Sequence, residues 1–279
     1  MENPNSFLLN RVFTRNTFKE LIDEGESAAY TAAIKRYIQS HTNQTNKECI
    51  SKIYHVLQSQ YQNEYYYKNT LLNKLLLGIH SPRTTTALTE VPIGNSKADF
   101  ILINGKAVVY EIKTALDNFD RLDGQVADYY KAFTRVVVVT AESNFVEIQE
   151  RLTDTPVGIC ILTPRGTLSI RKEPEEYVDN LSKSAMFKIL RKDEQEQIIL
   201  EHYGCLPPVS QFEYYRACKD LFEKLPTETA YNDFIRILKK RSKIEIEEYE
   251  DVPYELKFLI YFSKLRKKDY AKLKHFLNT

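Results

Sequence analysis

Residues 89–133 have the sequence TEVPIGNSKADFILINGKAVVYEIKTALDNFDRLDGQVADYYKAF, and they decide both the fold and the chemistry expected of this chain. Asp99 and Glu111 lie on neighbouring strand-like runs, and Lys113 follows Glu111 by two residues. A segment with Gln125 and Tyr129 comes next, four residues apart and therefore on one face of a helix. The rest of the chain reads mostly as helices around this stretch.

Hydrophobic periodicity predicts a mixed sheet in and after this stretch. Asn104-Gly105 is a strong hairpin signal between two of the strands. The β-branched run of residues 135–140 is typical of a strand buried on both faces. The predicted strands cover residues 87–92, 99–103, 107–112, 135–140, 157–163 and 167–171, and the predicted helices between them cover 117–133 and 145–152.

Helices are predicted both before and after the strands in the sequence. Asn16 or Thr17 is the expected cap of a first helix, and Asn63 and Gly78 are expected to start and stop a later one. The predicted C-terminal helices cover residues 177–191, 193–203, 209–224 and 227–241. The sequence therefore predicts an α/β fold with a mixed central sheet flanked by helices. The expected domains are a helical segment (1–50), an α/β core (51–175) and a helical region (176–279).

The overall composition narrows the class of protein. The chain has 279 residues and a net charge of +1, so its overall charge does not indicate a nucleic-acid partner. Its four cysteines are far apart, and no apolar run approaches the roughly 20 residues of a membrane span. We expect a cytoplasmic protein with reduced thiols and no membrane partner.

The sequence favours a site built from carboxylate side chains. Phosphate-binding loops, serine-nucleophile elbows and paired-histidine zinc motifs are all missing from the sequence. Glu111 and Lys113, two apart on one strand, project from the same face. Asp99, Glu111 and the Ile112 carbonyl are oxygen ligands of the type that Mg²⁺ prefers, and Lys113 would position or polarise an attacking water.

The hairpin turn sets a condition on this site. A strict two-residue Asn104-Gly105 turn pairs Asp99 with Tyr110, which places Asp99 and Glu111 on opposite faces. A shared metal site therefore requires a three-residue loop or a bulge, or an Asp99 that lies just before regular pairing begins.

Asp99, followed by Glu111-Ile112-Lys113 across a hairpin, resembles the PD-(D/E)XK nuclease superfamily. Gln125 and Tyr129 are similar to the Q-x-x-x-Y motif of its RecB-like branch, and the resemblance covers roughly residues 60–170. It implies a restriction-endonuclease-like core in which Asp99 and Glu111 bind Mg²⁺ or Mn²⁺ and Lys113 assists catalysis. Residue 98 is alanine, where the motif has proline.

The resemblance also implies that Glu64 completes the metal site, with Glu90 as another candidate acid, and that Gln125 and Tyr129 orient the site or touch substrate. Structural alternatives remain open at this point. An acid such as Glu64 in the first turn favours the helix dipole, and the Tyr129 ring can simply pack its helix onto the sheet.

Nucleic-acid contacts are expected from positive side chains outside the motif. Arg121 lies four residues before Gln125, and the C-terminal cations are Lys264, Arg266, Lys267 and Lys268. Each of them can contact phosphate, and a solvated surface is the alternative for all of them.

The sequence thus predicts a metal-dependent nuclease that hydrolyses phosphodiester bonds, with DNA as the favoured substrate. The alternatives are a catalytically inactive module that binds nucleic acid or protein on the same fold, and an RNA-directed nuclease of a toxin or defence system. The resemblance is to phage and bacterial proteins. The C-terminal helices are a candidate surface for a protein partner or for self-association.

Overall fold

The structure is a computed structural model, and it describes residues 4–38, 43–79, 81–241 and 246–279. The chain forms two compact units. We call the first the helical unit, which contains residues 1–83, 162–168 and 243–279. We call the second the sheet unit, which contains residues 84–161 and 169–242.

The helical unit begins with five helices, three of which have a side-chain cap at the N-terminus. The Thr14 side chain accepts a hydrogen bond from the Thr17 amide, so the predicted cap at Asn16 or Thr17 is wrong by two or three residues. Asn63 caps as predicted, through the Tyr66 amide. These helices are α1 (Pro4–Val12), α2 (Arg15–Asp23), α3 (Ala28–Tyr37), α4 (Asn46–Gln60) and α5 (Glu64–Leu71).

A π-helix, Leu72–Ile79, continues directly from α5. Gly78 lies inside it, so the prediction that Gly78 stops the helix is wrong. A glycine that ends a helix usually adopts a positive φ, and Gly78 does not. Leu72 and Leu76 are both fully buried, and burial of this apolar face favours a helix that continues past the expected stop.

The sheet unit contains the six strands in the order β1-β2-β3-β4-β5-β6. The first three pair antiparallel and β4 pairs parallel with β3, so the sheet is mixed and the predicted α/β fold class is confirmed. The strands are β1 (Thr86–Ile93), β2 (Ser96–Asn104), β3 (Lys106–Lys113), β4 (Val136–Ala141), β5 (Gly158–Leu162) and β6 (Leu168–Lys172), each within three residues of its prediction.

Helices of the sheet unit follow the third, fourth and sixth strands. Their apolar faces and the sheet form one buried cluster that includes Phe133, Phe187 and Phe234. The helices are α6 (Leu122–Tyr129), α7 (Phe145–Leu152), α8 (Lys183–Ile189), α9 (Lys192–Tyr203), α10 (Gln211–Lys224) and α11 (Thr227–Lys239).

Two predicted helices of this unit are shorter than expected. The prediction for 117–133 is wrong at both ends, because α6 covers only Leu122–Tyr129. At its start, the Asp117 carboxylate accepts hydrogen bonds from the Thr114 amide and hydroxyl and holds a loop before α6. The prediction for 177–191 is wrong before residue 183. There the Tyr177 amide donates to the Thr134 carbonyl instead of to a helical neighbour.

The last helices return to the helical unit. They are α12 (Ile246–Glu250), α13 (Lys257–Ser263) and α14 (Lys267–Asn278), and α14 packs against α2 and α4. The unit boundaries therefore differ from the expected boundaries after residues 50 and 175. Residues 1–3 and 39–42 of the predicted first segment lie outside the described residues, and the three-domain division stays a prediction.

Candidate active site

The β2–β3 hairpin has the register that a shared face requires. Ile103 pairs with Ala107 and Asn104 with Lys106, so the strict two-residue turn does not form. Gly105 alone separates the last pair, and its φ of +70° is one that glycine adopts without steric penalty. The ladder ends at Phe100 and Tyr110, and the next pair along would be Asp99 and Glu111. Directly opposed residues share a face of the sheet.

Glu111 lies at the centre of a buried polar network. Its side chain is almost completely buried, and residue exposure is only 1%. Its Oε1 lies 3.0 Å from the Lys113 Nζ, and its Oε2 accepts a hydrogen bond of 2.5 Å from the Tyr129 hydroxyl. The Lys113 ammonium also donates to the Gln125 Oε1 at 2.7 Å. The structure therefore brings together four of the predicted site residues through direct contacts.

Asp99 joins this group through the backbone. Its Oδ2 accepts a hydrogen bond of 2.9 Å from the Ile112 amide, one residue after Glu111. The Thr89 hydroxyl donates to the Asp99 carbonyl at 2.7 Å. Asp99 is half-buried, whereas Glu111 and Lys113 are buried. Asp99 is thus the more accessible of the two predicted carboxylates.

Tyr129 acts in this network as a hydrogen-bond donor. Burial, together with the negative charge of Glu111, raises the pKa of the phenol far above its ordinary value. The hydroxyl therefore keeps its proton. Besides Glu111, the Lys97 carbonyl lies within hydrogen-bond distance, at 3.0 Å. The ring is fully buried, so Tyr129 both packs α6 onto the sheet and holds the Glu111 carboxylate.

Asp128 fixes the position of α6, and the sequence reasoning missed it. Its Oδ2 accepts hydrogen bonds from the Asn95 amide (2.9 Å) and the Ser96 hydroxyl (2.7 Å), both at the β1–β2 turn. Lys131 lies 2.6 Å from Oδ1. The signal in the sequence that could have identified Asp128 is its position directly before Tyr129, on the predicted helix. Asp128 ties α6, which carries Gln125 and Tyr129, to the hairpin.

Replacing Gly94 with alanine is expected to lower the free energy of unfolding. A β-carbon at this position would lie 2.6 Å from the Asp128 Cγ, and φ is +61°. The positive φ costs about 1–2 kcal/mol in a residue with a side chain, and overpacking adds about 1–3 kcal/mol. Chemical denaturation measures the change.

Gly105→Ala is the matched control for this substitution. Gly105 has a φ of +70°, but no atom lies within 4 Å of the added β-carbon. Only the backbone contribution of about 1–2 kcal/mol is therefore expected. Equal losses in the two variants would contradict a close approach of Asp128 to Gly94.

The contribution of Asp128 to stability is expected to depend on pH. Burial acts to raise its pKa, but hydrogen bonds from Lys131, Ser96 and the Asn95 amide outweigh burial and hold the pKa below its ordinary value. A carboxylate whose pKa is lowered by folding stabilises the fold at pH values above its unfolded-state pKa of about 3.9. This stabilisation is lost as the pH falls through the folded-state pKa.

Asp128→Asn is therefore expected to lower the free energy of unfolding by about 1.5–3 kcal/mol at neutral pH. The difference from the wild type should shrink as the pH falls below about 4. Thermal melts at several pH values measure it. Asp179→Asn removes an exposed carboxylate and should change little at any pH. A difference that stays constant down to about pH 2 would contradict the ion-pair contribution.

Glu90 is an acidic side chain of the sheet unit that lies close to Asp99. Thr89 pairs with Phe100 and Val91 with Ala98, so Glu90 lies opposite Asp99 on the adjacent strand. Carboxylate oxygens of the two residues lie within 4.8 Å of each other. Glu90 also has a φ of +56°, which is uncommon for a residue with a side chain.

Two of the candidate acids also have a lysine partner within their own unit. Glu64 belongs to the helical unit, where it forms an ion pair with Lys68 at 2.5 Å. The Lys97 Nζ lies 2.9 Å from Glu90. The Ile112 carbonyl and Glu64 stay sequence-based predictions as metal ligands.

The predicted nucleic-acid contacts comprise one residue beside α6 and four residues of the helical unit. Arg121 is exposed and directly precedes α6. Lys264, Arg266, Lys267 and Lys268 are exposed residues of the helical unit, at the end of α13 and the start of α14. Within the described ranges, no helix is both long and apolar enough to cross a membrane.

The chain matches a known family over most of its length. The model of the family described as Bacteriophage P4 protein cII matches residues 57–252, which include the whole network around Glu111. Protein cII of Enterobacteria phage P4 is 29% identical over 109 residues, which cover 38% of this chain. They cover 35% of the phage protein, so this chain spans about a third of that relative's length. The chain belongs to the bacteriophage P4 protein cII family.

Two solved structures are similar to parts of the chain. A protein of unknown function from Silicibacter pomeroyi is 16% identical, with a TM-score of 0.29, over 47% of this chain and 87% of that protein. A second protein of unknown function is 15% identical, with a TM-score of 0.27, over 64% of this chain and 98% of that protein. At these scores, neither likeness supports an argument about fold or function.

Proposed function

We propose that this member of the bacteriophage P4 protein cII family is a nuclease that uses Mg²⁺ or Mn²⁺ to hydrolyse phosphodiester bonds in DNA. The observation that carries the proposal is the contact of Glu111 with Lys113 and Tyr129, and of Lys113 with Gln125, beside Asp99. Residues singled out by the nuclease resemblance meet at one site although up to 30 positions separate them in the sequence.

The donor atoms near Asp99 fit a hard divalent cation, because they are carboxylate oxygens. Oxygens of Asp99 and Glu90 lie within 4.8 Å of each other, close to the about 4.2 Å that two ligands of one Mg²⁺ can span. Asp99 and Glu90 would hold the ion, and Glu111 keeps unused lone pairs beyond its two contacts. Such an ion would stabilise the negative charge that develops on the phosphate.

Lys113 is the residue that we expect to act on the reacting groups. An ammonium group has three N–H donors, and the contacts with Glu111 and Gln125 account for two of them. The third can donate to a phosphate oxygen or to the attacking water. Gln125 and Glu111 hold the ammonium in place, and Tyr129 in turn holds Glu111. A preorganised donor of this kind is worth most where charge develops in the transition state.

The cytoplasm is the proposed place of action, since a nucleic-acid substrate is found there. Cys49, Cys160, Cys205 and Cys218 are all free thiols, which agrees with a reducing compartment.

The test is a cleavage assay on the purified full chain. Labelled single-stranded DNA, duplex DNA and RNA are each incubated with Mg²⁺, with Mn²⁺ and with a chelator. We expect metal-dependent cleavage of DNA. Cleavage of RNA alone would make the protein an RNA-directed nuclease, and no cleavage of any substrate with either metal would refute the enzymatic function.

A catalytically inactive module that binds nucleic acid or protein is the second candidate. Glu111 and Lys113 are only 1% and 6% exposed, and both already have internal partners, as in a purely structural ion pair. Such a module would bind labelled nucleic acid, or a protein partner, equally well with and without the metal and would leave the strand intact.

A further inference from the structure

A concave cavity of about 510 Å³ in the helical unit has positively charged side chains on both walls. One wall is α2, and the other is the segment that links α13 to α14. Lys264 and Arg266 of the second wall are among the cations that the sequence predicts to contact nucleic acid, whereas no residue of the first wall is. The lining includes Arg15 and Lys19 from α2, and Phe262, Lys264, Arg266 and Asp269 from the other wall.

The cavity carries an excess of positive charge. Arg15, Lys19, Lys264 and Arg266 are all exposed. The two acidic side chains that line it have partners, since Asp23 lies 3.4 Å from the Lys272 Nζ and Asp269 accepts a hydrogen bond of 3.0 Å from the Arg266 amide. Among the described residues, no acidic side chain forms an ion pair with Arg15, Lys19 or Lys264. At least three cations thus face solvent without a neutralising partner.

Backbone geometry places these cations on opposite sides of the cavity. The Thr14 side chain caps α2, so Arg15 is its first residue and Lys19 follows one turn later. Lys264 ends α13 in the left-handed conformation, with φ +51° and ψ +47°, and turns the chain toward Arg266 and α14. Lys267 and Lys268 are exposed at the start of α14 and extend the positive surface.

The shape and lining of the cavity favour one class of partner. A flat lipid surface does not fit a concave cavity, whereas a flexible strand can enter it. Phe262 is half-buried beside the cations. Positive grooves with an aromatic side chain bind single-stranded nucleic acid, because the cations contact phosphates and a base can stack on the ring.

We infer that the cavity between α2 and the α13–α14 link binds the phosphates of single-stranded nucleic acid. Arg15, Lys19, Lys264 and Arg266 each contact phosphate, and Phe262 offers a stacking surface. The inference is independent of nuclease activity, because it concerns other residues and needs no metal.

The test is a binding titration in the presence of a chelator, so that no cleavage occurs. A labelled oligothymidylate of about 20 nucleotides is titrated with the full chain by fluorescence anisotropy at several salt concentrations. Each phosphate contact contributes about −0.7 to the slope of log K against log[salt] for single strands. The variant Arg15→Gln/Lys19→Gln/Lys264→Asn/Arg266→Gln should therefore flatten the slope by about 3 and weaken binding tenfold or more.

Two further variants keep the test falsifiable. Lys264→Asn alone removes one charge at a positive φ that asparagine tolerates, and it should flatten the slope by about 0.7 while leaving the melting temperature unchanged. The control Lys35→Gln/Lys47→Gln/Lys52→Gln/Lys74→Gln removes four exposed charges of the same unit from outside the cavity. It should bind nearly as tightly as the wild type.

Three results of the titration would overturn the inference. The first is an unchanged slope in both cavity variants, and the second is an equal loss in the control variant. The third is tighter binding to a duplex of the same length than to the single strand. Sedimentation with anionic phospholipid vesicles is the remaining arm, and a cavity variant that loses vesicle binding but keeps oligonucleotide binding would assign the surface to a membrane instead.

Discussion

Replacing Lys113 with methionine is expected to lower the free energy of unfolding by about 3–5 kcal/mol. The substitution leaves the Glu111 charge buried, because Glu111 is 1% exposed, and it removes the one cation that forms an ion pair with it among the described residues, at 3.0 Å. Methionine fills a similar volume, so the loss comes from the uncompensated charge and not from a cavity. Urea denaturation of the full chain at neutral pH measures it.

The double variant Glu111→Gln/Lys113→Met separates charge from packing. It removes both charges, and the glutamine can still accept the Tyr129 hydrogen bond, so most of the lost stability should return. Lys192→Met is the matched control. Its ion pair with Glu196 has a distance of 3.8 Å and an exposed lysine, so the loss should stay below about 1 kcal/mol. A loss at Lys113 as small as this control would contradict a buried ion pair.

Replacing Asp99 with asparagine is expected to slow DNA cleavage by about 10²–10³-fold. The asparagine oxygen can still accept the hydrogen bond from the Ile112 amide, so the fold is retained. The negative charge that would hold the cation is lost. Initial rates over a range of Mg²⁺ concentrations measure the change, and the melting temperature checks that the variant is folded.

Asp120→Asn is the control for this loss of activity. Asp120 is exposed in the loop before α6 and belongs to no part of the network. It should cleave at the wild-type rate. If Asp99→Asn also cleaves at that rate in a protein that is active, the catalytic centre lies elsewhere, and the proposed role of this site fails.

The sequence predicted the strands well because their signals are local. Each strand lies within three residues of its expected position, and the Asn104-Gly105 hairpin forms. The register of that hairpin could not be read from the sequence. The register depends on whether the last residue paired before the turn is Ile103 or Asn104. In the structure it is Asn104, and Gly105 alone forms the turn with a positive φ.

What the sequence could not predict depends on contacts between distant residues. The Asp128 carboxylate accepts a hydrogen bond from the amide of Asn95, 33 positions earlier, and no local sequence pattern predicts such a partner. Glu90 reaches Asp99 through strand pairing, and its positive φ has no signal in the sequence. The loop before α6 likewise replaces a predicted helix because Asp117 bonds to Thr114. Helical periodicity does not include such competing hydrogen bonds.

The packing of α14 against α2 and α4 makes the helical unit discontinuous in the chain, with the sheet unit inserted between its parts. This order has a consequence during synthesis on the ribosome. Residues 84–242 leave the ribosome before α14 does, so the sheet unit can fold while the first helices still lack part of their core. The helical unit must then close a loop of more than 150 residues, at an entropic cost that grows only slowly with loop length. A nascent chain whose α14 is still inside the ribosomal tunnel would therefore carry a folded sheet unit and N-terminal helices that lack part of their core.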